Sequence, residues 1–293
     1  MHRRTSLASS LALSLFITLL GFGPRASAAA SKPTLGPGLK SASALVVDAR
    51  TGDVVYQQDP AAVAPIASIS KLMTALVVLD GQQPLDEVIQ LTPADKWTGK
   101  GAFSRLPIGA KYTRGDLLKL ALMASENRAS HALASNYPGG ASMFVKTMNL
   151  KAKALGMTQT RFEYPSGLSN NNVSSARDLV KLLNAVTREP LIREYSTLTS
   201  HDVIAGKYRL TYRNTNLLVG KSDWDILVQK TGFTNDAGEC LAMQTTIGDR
   251  TVNMVFLNSF GKLTRTADAR RMRKWMEARQ LQKVARAESP TAQ

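Results

Sequence analysis

The stretch Ser68-Ile69-Ser70-Lys71 sets a hydroxyl and an amine three residues apart, where the extended run Pro65-Ile66-Ala67 gives way to an apolar-periodic helix. Residues three apart share a helix face, so the Lys71 amine can reach the Ser68 hydroxyl. A serine attacks carbonyls only when a neighbouring base takes its proton. A lysine that is partly desolvated and crowded by other cations can be that base. The partial positive charge of a helix N-terminus further favours oxyanion character near Ser68. The spacing alone is weak, because Ser259-Phe260-Gly261-Lys262 repeats it after a strand, with Gly261 leaving its geometry loose.

Two further triplets carry usable chemistry. Ser125-Glu126-Asn127 follows the apolar run 117–123. A serine hydroxyl there can relay a proton, and an asparagine amide can hold a peptide group, since each both donates and accepts. Ser169-Asn170-Asn171 matches the same loose pattern. Lys230-Thr231-Gly232 ends the predicted strand Ile226-Leu227-Val228-Gln229. Lysine and threonine alternate faces, Gly232 admits a ligand close to the backbone, and the strand edge suits an extended peptide with a carboxylate.

The elements that must position these residues fall into three zones. The β-branched runs 43–48 and 53–56 flank Ala49-Arg50-Thr51-Gly52 and predict an N-terminal hairpin. Helical periodicity follows from Ile69 to about Leu183, with segments at 71–79, 114–134 and 141–155 separated by Pro and Gly breaks. Strands return at 225–231, 240–247 and 251–257, with a turn at Gly248-Asp249, and a helix over 266–285 closes the pattern. Strands at both ends of a helical block predict an α/β chain of the α+β kind: one antiparallel sheet flanked by helices, with an inserted helical subdomain. The cleft between sheet and subdomain is the expected site.

The chain has 293 residues, is 44% hydrophobic and 20% charged, and has a mean hydropathy of −0.13. That is enough for a real core, and it excludes intrinsic disorder and a small disulfide scaffold. Cys240 is the one cysteine, and His2, His131 and His201 are scattered, so neither a metal site nor a Cys-His pair is expected, and no cofactor. Residues 1–28 read as a signal peptide: arginines at 3 and 4, an apolar run over 7–22 and Ala26-Ser27-Ala28 for cleavage. The formal charge is +15, and loss of Arg3, Arg4 and Arg25 with that segment leaves +12. Residues 29–40 read as a linker and 286–293 as a flexible tail.

The three triplets, in this order and each on a suitable element, match the SxxK, SxN and KTG pattern of the serine penicillin-recognising enzymes. The resemblance extends to Ala64-Pro65-Ile66-Ala67-Ser68-Ile69-Ser70-Lys71-Leu72-Met73-Thr74, Leu155-Gly156-Met157, Phe162-Glu163-Tyr164-Pro165-Ser166-Gly167-Leu168, Ser175-Ala176-Arg177-Asp178-Leu179 and Lys230-Thr231-Gly232-Phe233-Thr234-Asn235-Asp236-Ala237-Gly238. On these residues, from Ser43 to Glu277, the chain resembles the low-molecular-mass penicillin-binding proteins. Within that family it is similar to the D-alanyl-D-alanine endopeptidases, sharing their Ser-Glu-Asn triplet and an Arg213-Asn214-Thr215-Asn216 stretch.

The resemblance implies a DD-peptidase/β-lactamase-like fold, with residues 41–285 as the serine D,D-peptidase domain. It implies Ser68 as nucleophile, Lys71 as base and Ser125 as proton relay, with Lys230 keeping Lys71 short of full protonation. Asn127 would hold the acyl-side peptide, Lys230 and Thr231 the carboxylate beside the scissile bond, and Gly232 the close approach. The backbone N–H groups of Ser68 and Phe233 would form the oxyanion hole. The implied substrates are crosslinked peptidoglycan peptides, with β-lactams as covalent inhibitors, in the periplasm. Val180 stands where class A β-lactamases carry a water-activating glutamate, which argues against that activity.

Other readings stay beside this one. A D-alanyl-D-alanine carboxypeptidase would use the same pocket. A non-catalytic basic protein could bind the envelope through Arg270-Arg271-Met272-Arg273-Lys274-Trp275-Met276, and weak electrostatic membrane association is expected in any case. A helix packed through Ala269, Met272 and Met276 is the preferred reading of that run. An exported protein meets little nucleic acid. Glu126 and Asp178 read as structural, His131 and His201 as surface or capping residues, Cys240 as a small buried hydrophobe, and Trp97, Trp224 and Trp275 as packing residues.

Overall fold

A computed structural model describes residues 36–99 and 103–288. The expected signal peptide, the linker up to residue 35 and residues 289–293 of the expected tail lie outside the described residues.

The chain enters through β1 (Ser41–Asp48), turns back as β2 (Val54–Gln58), and makes the short strand β3 (Ala64–Pro65) before a single 3-10 turn, Ala67–Ile69. Helix α1 (Ser70–Asp80) follows, then β4 (Val88–Gln90), β5 (Lys111–Thr113), α2 (Arg114–Met123), α3 (Asn127–Ser135) and α4 (Gly140–Ala154). Next come β6 (Val173–Ser174), α5 (Ala176–Val186), α6 (Pro190–Thr197), and a hairpin of β7 (Ser200–Ala205) and β8 (Tyr208–Arg213). Strands β9 (Asp225–Thr234), β10 (Gly238–Ile247) and β11 (Arg250–Ser259) lead into α7 (Thr264–Glu288).

The main sheet is antiparallel with order β2-β1-β11-β10-β9. β1 is sequence-distant from its neighbour β11, and Val46 faces Met254 across that seam. Both faces of the sheet are covered, which is why β1 reads as a nearly continuous apolar run. Leu45 and Val47 face the helical block, while Ala44 and Val46 join Leu241, Met243, Met254 and Phe256 under α7. Helix α7 seats Ala269, Met272 and Met276 in that second layer, as its spacing predicts. Opposite, α5 packs on β1 and β11. Helix α1 runs through the middle, with every residue from Ser70 to Val78 buried.

Three local expectations change. The predicted helix 114–134 is two helices, because Ser125 takes a left-handed φ of 59° and Glu126 starts α3 afresh, its carboxylate accepting from the Ala129 N–H. Lys230-Thr231-Gly232 lies inside β9, which continues to Thr234. The β7–β8 hairpin and α6 were not read from the sequence, where polar residues break the periodicity of both.

Candidate active site

Ser68 sits in the 3-10 turn that introduces α1, behind Ala67, whose φ of 46° lies in the left-handed region. Two glycines from distant segments close on this turn. A Cβ on Gly167 would lie 1.9 Å from the Ala67 carbonyl oxygen. A Cβ on Gly232 would lie 2.8 Å from the Ile66 oxygen and 3.3 Å from the Ser68 nitrogen. Only residues without side chains let the 165–168 loop and β9 approach the Ser68 backbone this closely. Phe233 comes next within β9, its side chain exposed.

Lys71 is wholly buried, and its Nζ lies 2.8 Å from Ser68 Oγ, 2.8 Å from Asn127 Oδ1 and 2.7 Å from the Ser166 carbonyl oxygen. A neutral amine has two N–H bonds and one lone pair. Two carbonyl-type oxygens can take both hydrogens, which leaves the lone pair directed at the Ser68 hydroxyl. Burial brings the Lys71 ammonium down from 10.5 to about 7, against an opposing pull from the Glu126 carboxylate. Lys230 is also wholly buried; burial first, then the Lys71 and Arg265 charges, push its ammonium well below the ordinary lysine value. Desolvation is the largest cause at both lysines, and the two buried cations also repel one another. Lys230 Nζ donates to the Thr231 carbonyl oxygen at 3.0 Å.

Ser68, Ser125, Asn127, Thr231, Gly232 and Phe233 line one cleft of about 530 Å³ between the sheet edge and the helical block. Two residues to which sequence reasoning gave no role share it. Thr215, which follows β8, bonds its Oγ1 to Thr231 Oγ1 at 2.6 Å, fixing the threonine of the third triplet. Arg265, in the first turn of α7, donates to the Gly232 carbonyl oxygen at 2.6 Å and pairs with Glu239 at 3.3 Å. Its signal is the charge itself: an arginine only 15% exposed on a helix that opens beside the cleft.

His131, expected at the surface or a cap, is buried. Its Nδ1 lies 2.7 Å from the Tyr164 hydroxyl and its Nε2 3.2 Å from Ser166 Oγ, just behind the peptide that receives Lys71. Burial, with the charges of Lys71 and Arg128, lowers its pKa to about 3 and keeps it neutral. His201 meets Asp116 at 2.9 Å between β7 and α2. Asp178 accepts from the Gln159 N–H and from Thr160 Oγ1, a structural role like that of Glu126. Cys240 is buried in β10, and burial raises its thiol to about 11. Trp97 packs at a tilt against Tyr164, Trp275 meets Tyr56 edge-on, and Arg273 lies over Trp224. Among the described residues no cluster of His, Cys, Asp or Glu could hold a metal ion.

Solved structures share this arrangement of elements. The Streptomyces K15 DD-transpeptidase aligns with a TM-score of 0.76 at 25% identity over 84% of this chain and 100% of its own. Penicillin-binding protein D2 from Listeria monocytogenes, in its cefotaxime-bound form, aligns with a TM-score of 0.72 at 28% identity over 83% and 99%. The fold is that of the DD-peptidases and penicillin-binding proteins. The family model described as D-alanyl-D-alanine carboxypeptidase, peptidase S11, matches residues 27–261, and this chain belongs to that family. A D-alanyl-D-alanine endopeptidase of Pseudomonas aeruginosa is 49% identical over 92% of this chain and 89% of its own length. One from Escherichia coli K12 is 49% identical over 92% and 87%.

Proposed function

We propose that the chain is a serine D,D-endopeptidase that hydrolyses D-alanyl-diaminopimelate crosslinks in peptidoglycan through an acyl-enzyme on Ser68. The observation that carries the reading is the buried Lys71 amine, held by two oxygens with its third contact on Ser68 Oγ. Both 49%-identical relatives are D-alanyl-D-alanine endopeptidases, which supports endopeptidase over carboxypeptidase action.

In the first half-reaction Ser68 Oγ attacks the D-alanyl carbonyl carbon while Lys71 Nζ takes the hydroxyl proton. The oxyanion forms against the Ser68 and Phe233 backbone N–H groups, each donor contributing roughly 3 kcal/mol in such sites. Ser125, in the same cleft, relays the proton to the leaving amine as the C–N bond breaks. Asn127 holds the acyl-side strand, and Thr231 and Thr215 receive the carboxylate beside the cut bond, with Lys230 buried next to Thr231 on β9. Water then attacks the ester, returns a proton to Ser68 and frees the acyl strand. A β-lactam acylates Ser68 by the same route and stays.

The protein works outside the cytoplasm, in the periplasm, after cleavage of residues 1–28. Its +12 mature charge attracts it to anionic wall and membrane, an association that salt reverses. Among the described residues no helix is long and apolar enough to cross a membrane. Labelling with a fluorescent penicillin tests the site: the native chain is labelled and Ser68→Ala is not. A well-folded native chain that takes no label would overturn the reading in favour of a non-catalytic envelope-binding protein.

A further inference from the structure

Behind the contacts of Lys71 lies a second layer of polar groups that the mechanism leaves unused. The Ser166 carbonyl oxygen receives Lys71 Nζ at 2.7 Å, and Ser166 is itself wholly buried. Among the described residues the one hydrogen-bond partner of Ser166 Oγ is His131 Nε2, 3.2 Å away on α3. His131 is 4% exposed, and its Nδ1 lies 2.7 Å from the Tyr164 hydroxyl. A line of polar atoms thus runs from Tyr164 through His131 and Ser166 to the base. The rest of the loop is anchored by other groups. Asn172 Oδ1 accepts from the Glu163 and Tyr164 N–H groups at 2.9 and 3.0 Å, and Thr74 Oγ1 donates to the Pro165 oxygen at 2.6 Å. Gly167 is pressed against Ala67. Between those anchors the side chain of Ser166 is held by His131.

A neutral imidazole has one N–H and one lone pair. Burial, then the charges of Lys71 and Arg128, bring His131 down to about 3, so it is neutral, and burial, then Asp95, raise Tyr164 to about 12, so it keeps its proton. With the hydrogen on Nδ1, His131 donates to the Tyr164 oxygen and the Ser166 hydroxyl donates to Nε2. The hydrogen left over then belongs to Tyr164, a half-buried residue in the wall of a hollow of about 330 Å³. With the hydrogen on Nε2, the wholly buried Ser166 hydroxyl has no acceptor among the described residues. Buried hydrogens are rarely left unanswered, which assigns the Nδ1–H tautomer. Asp95 and Lys96 at the end of the 3-10 turn Pro93–Asp95, Arg128 on α3 and Glu163 in the loop share the hollows that His131 lines, while both ring nitrogens are spent on Tyr164 and Ser166.

We propose that His131, steadied by Tyr164, is a positioning residue for acylation: it holds Ser166 so that the Ser166 carbonyl takes one Lys71 hydrogen and leaves the amine lone pair on Ser68 Oγ. The proposal rests on the reading of Lys71 as the base.

The test is stopped-flow acylation of the full chain by benzylpenicillin at pH 8, where the Lys71 amine is already mostly neutral. A series of drug concentrations separates the dissociation constant of the first complex from the acylation rate constant. His131→Phe keeps an aromatic ring without either nitrogen. Its rate constant should fall about tenfold, the worth of one buried hydrogen bond, with the dissociation constant within twofold of native. Ser166→Ala removes the other end of the same bond and should cost as much, and the double variant should lose about tenfold rather than a hundredfold. His131→Gln, whose amide can meet Ser166 Oγ, should recover the rate constant to within threefold of native. Thermal melting checks the fold of each variant, and Ser166→Ala decides the matter where His131→Phe does not fold. A native rate constant in folded Ser166→Ala, a loss confined to the dissociation constant, or losses that multiply in the double variant would overturn the proposal. A native chain that benzylpenicillin does not acylate sinks the catalytic reading itself, whereas native acylation with unchanged variants sinks the positioning role alone.

Discussion

In the proposed mechanism the proton on Lys71 sets the rate at which Ser68 is acylated, and the burial of Lys71 gives that dependence a shape. Burial lowers the Lys71 ammonium from 10.5 to about 7, so the amine is about one-tenth neutral at pH 6, half neutral at pH 7 and about nine-tenths neutral at pH 8. Only the neutral amine accepts the Ser68 proton. The second-order rate of acylation by benzylpenicillin, which has no ionisable leaving group to confuse the profile near neutrality, should therefore rise about tenfold from pH 6 to pH 8 and then level. An ordinary lysine would instead give a rate climbing about tenfold per pH unit, roughly a thousandfold from pH 6 to pH 9, with no plateau. Stopped-flow quenching of protein fluorescence measures the profile directly. Lys71→Arg, whose guanidinium does not deprotonate, should lose roughly 10²–10⁴-fold. A rate flat across pH 6 to 9, or one still climbing tenfold per unit at pH 9, would refute the assignment of Lys71 as the buried base. The same shift has a stability consequence. Between pH 7 and 10.5 the unfolded chain holds a proton on this lysine that the folded one lacks. The contribution is present above 10.5 and lost as pH falls through about 7.

Gly232→Ala places a Cβ 2.8 Å from the Ile66 oxygen, so penicillin labelling should fall about a hundredfold with the circular dichroism spectrum unchanged; labelling within twofold of native would contradict the close approach. Thr215→Val removes the bond that fixes Thr231 and should lower kcat/KM on a crosslinked dimer about fivefold, ~1 kcal/mol, with the effect in KM. Met272→Ala, wholly buried between α7 and the sheet, should cost about 2–5 kcal/mol in urea unfolding while the labelling rate stays native at low temperature; an unchanged urea midpoint would argue against α7 as a structural cover.

What could be read from the sequence was what local spacing encodes. Ser68 and Lys71 are one helical turn apart, Lys230 and Thr231 adjoin on one strand, and the 3.6-residue stripe of Ala269, Met272 and Met276 predicts the face α7 buries. The split sheet was legible because β-branched runs bracket the helical block. What stayed hidden depends on chain distance. The Ser166 carbonyl that receives Lys71 is 95 residues away, and Asn127 is 56 away. Gly167 and Ser166 sat inside a stretch noted for its family likeness, but nothing in Pro165-Ser166-Gly167 says that it folds against Ala67. His131 gave no signal because its partners, Tyr164 and Ser166, come from another loop, and a lone histidine on a helix is equally consistent with a surface position. The break at Ser125 was missed because alanines and leucines continue helical periodicity on both sides of it, while the left-handed turn depends on the single residue between them.

The central claim is that this chain cuts peptidoglycan crosslinks through an ester on Ser68, and digestion of purified muropeptides tests it most directly. Crosslinked dimers and monomeric pentapeptides are incubated with the native chain and with Ser68→Ala, the products are read by mass spectrometry, and acid-quenched protein is searched for an acyl adduct on the Ser68 peptide. The account predicts dimers converted to monomers, pentapeptides left intact, a transient adduct on Ser68, and no reaction with Ser68→Ala. Dimers untouched by well-folded native protein, or dimers cleaved equally by Ser68→Ala, would contradict it.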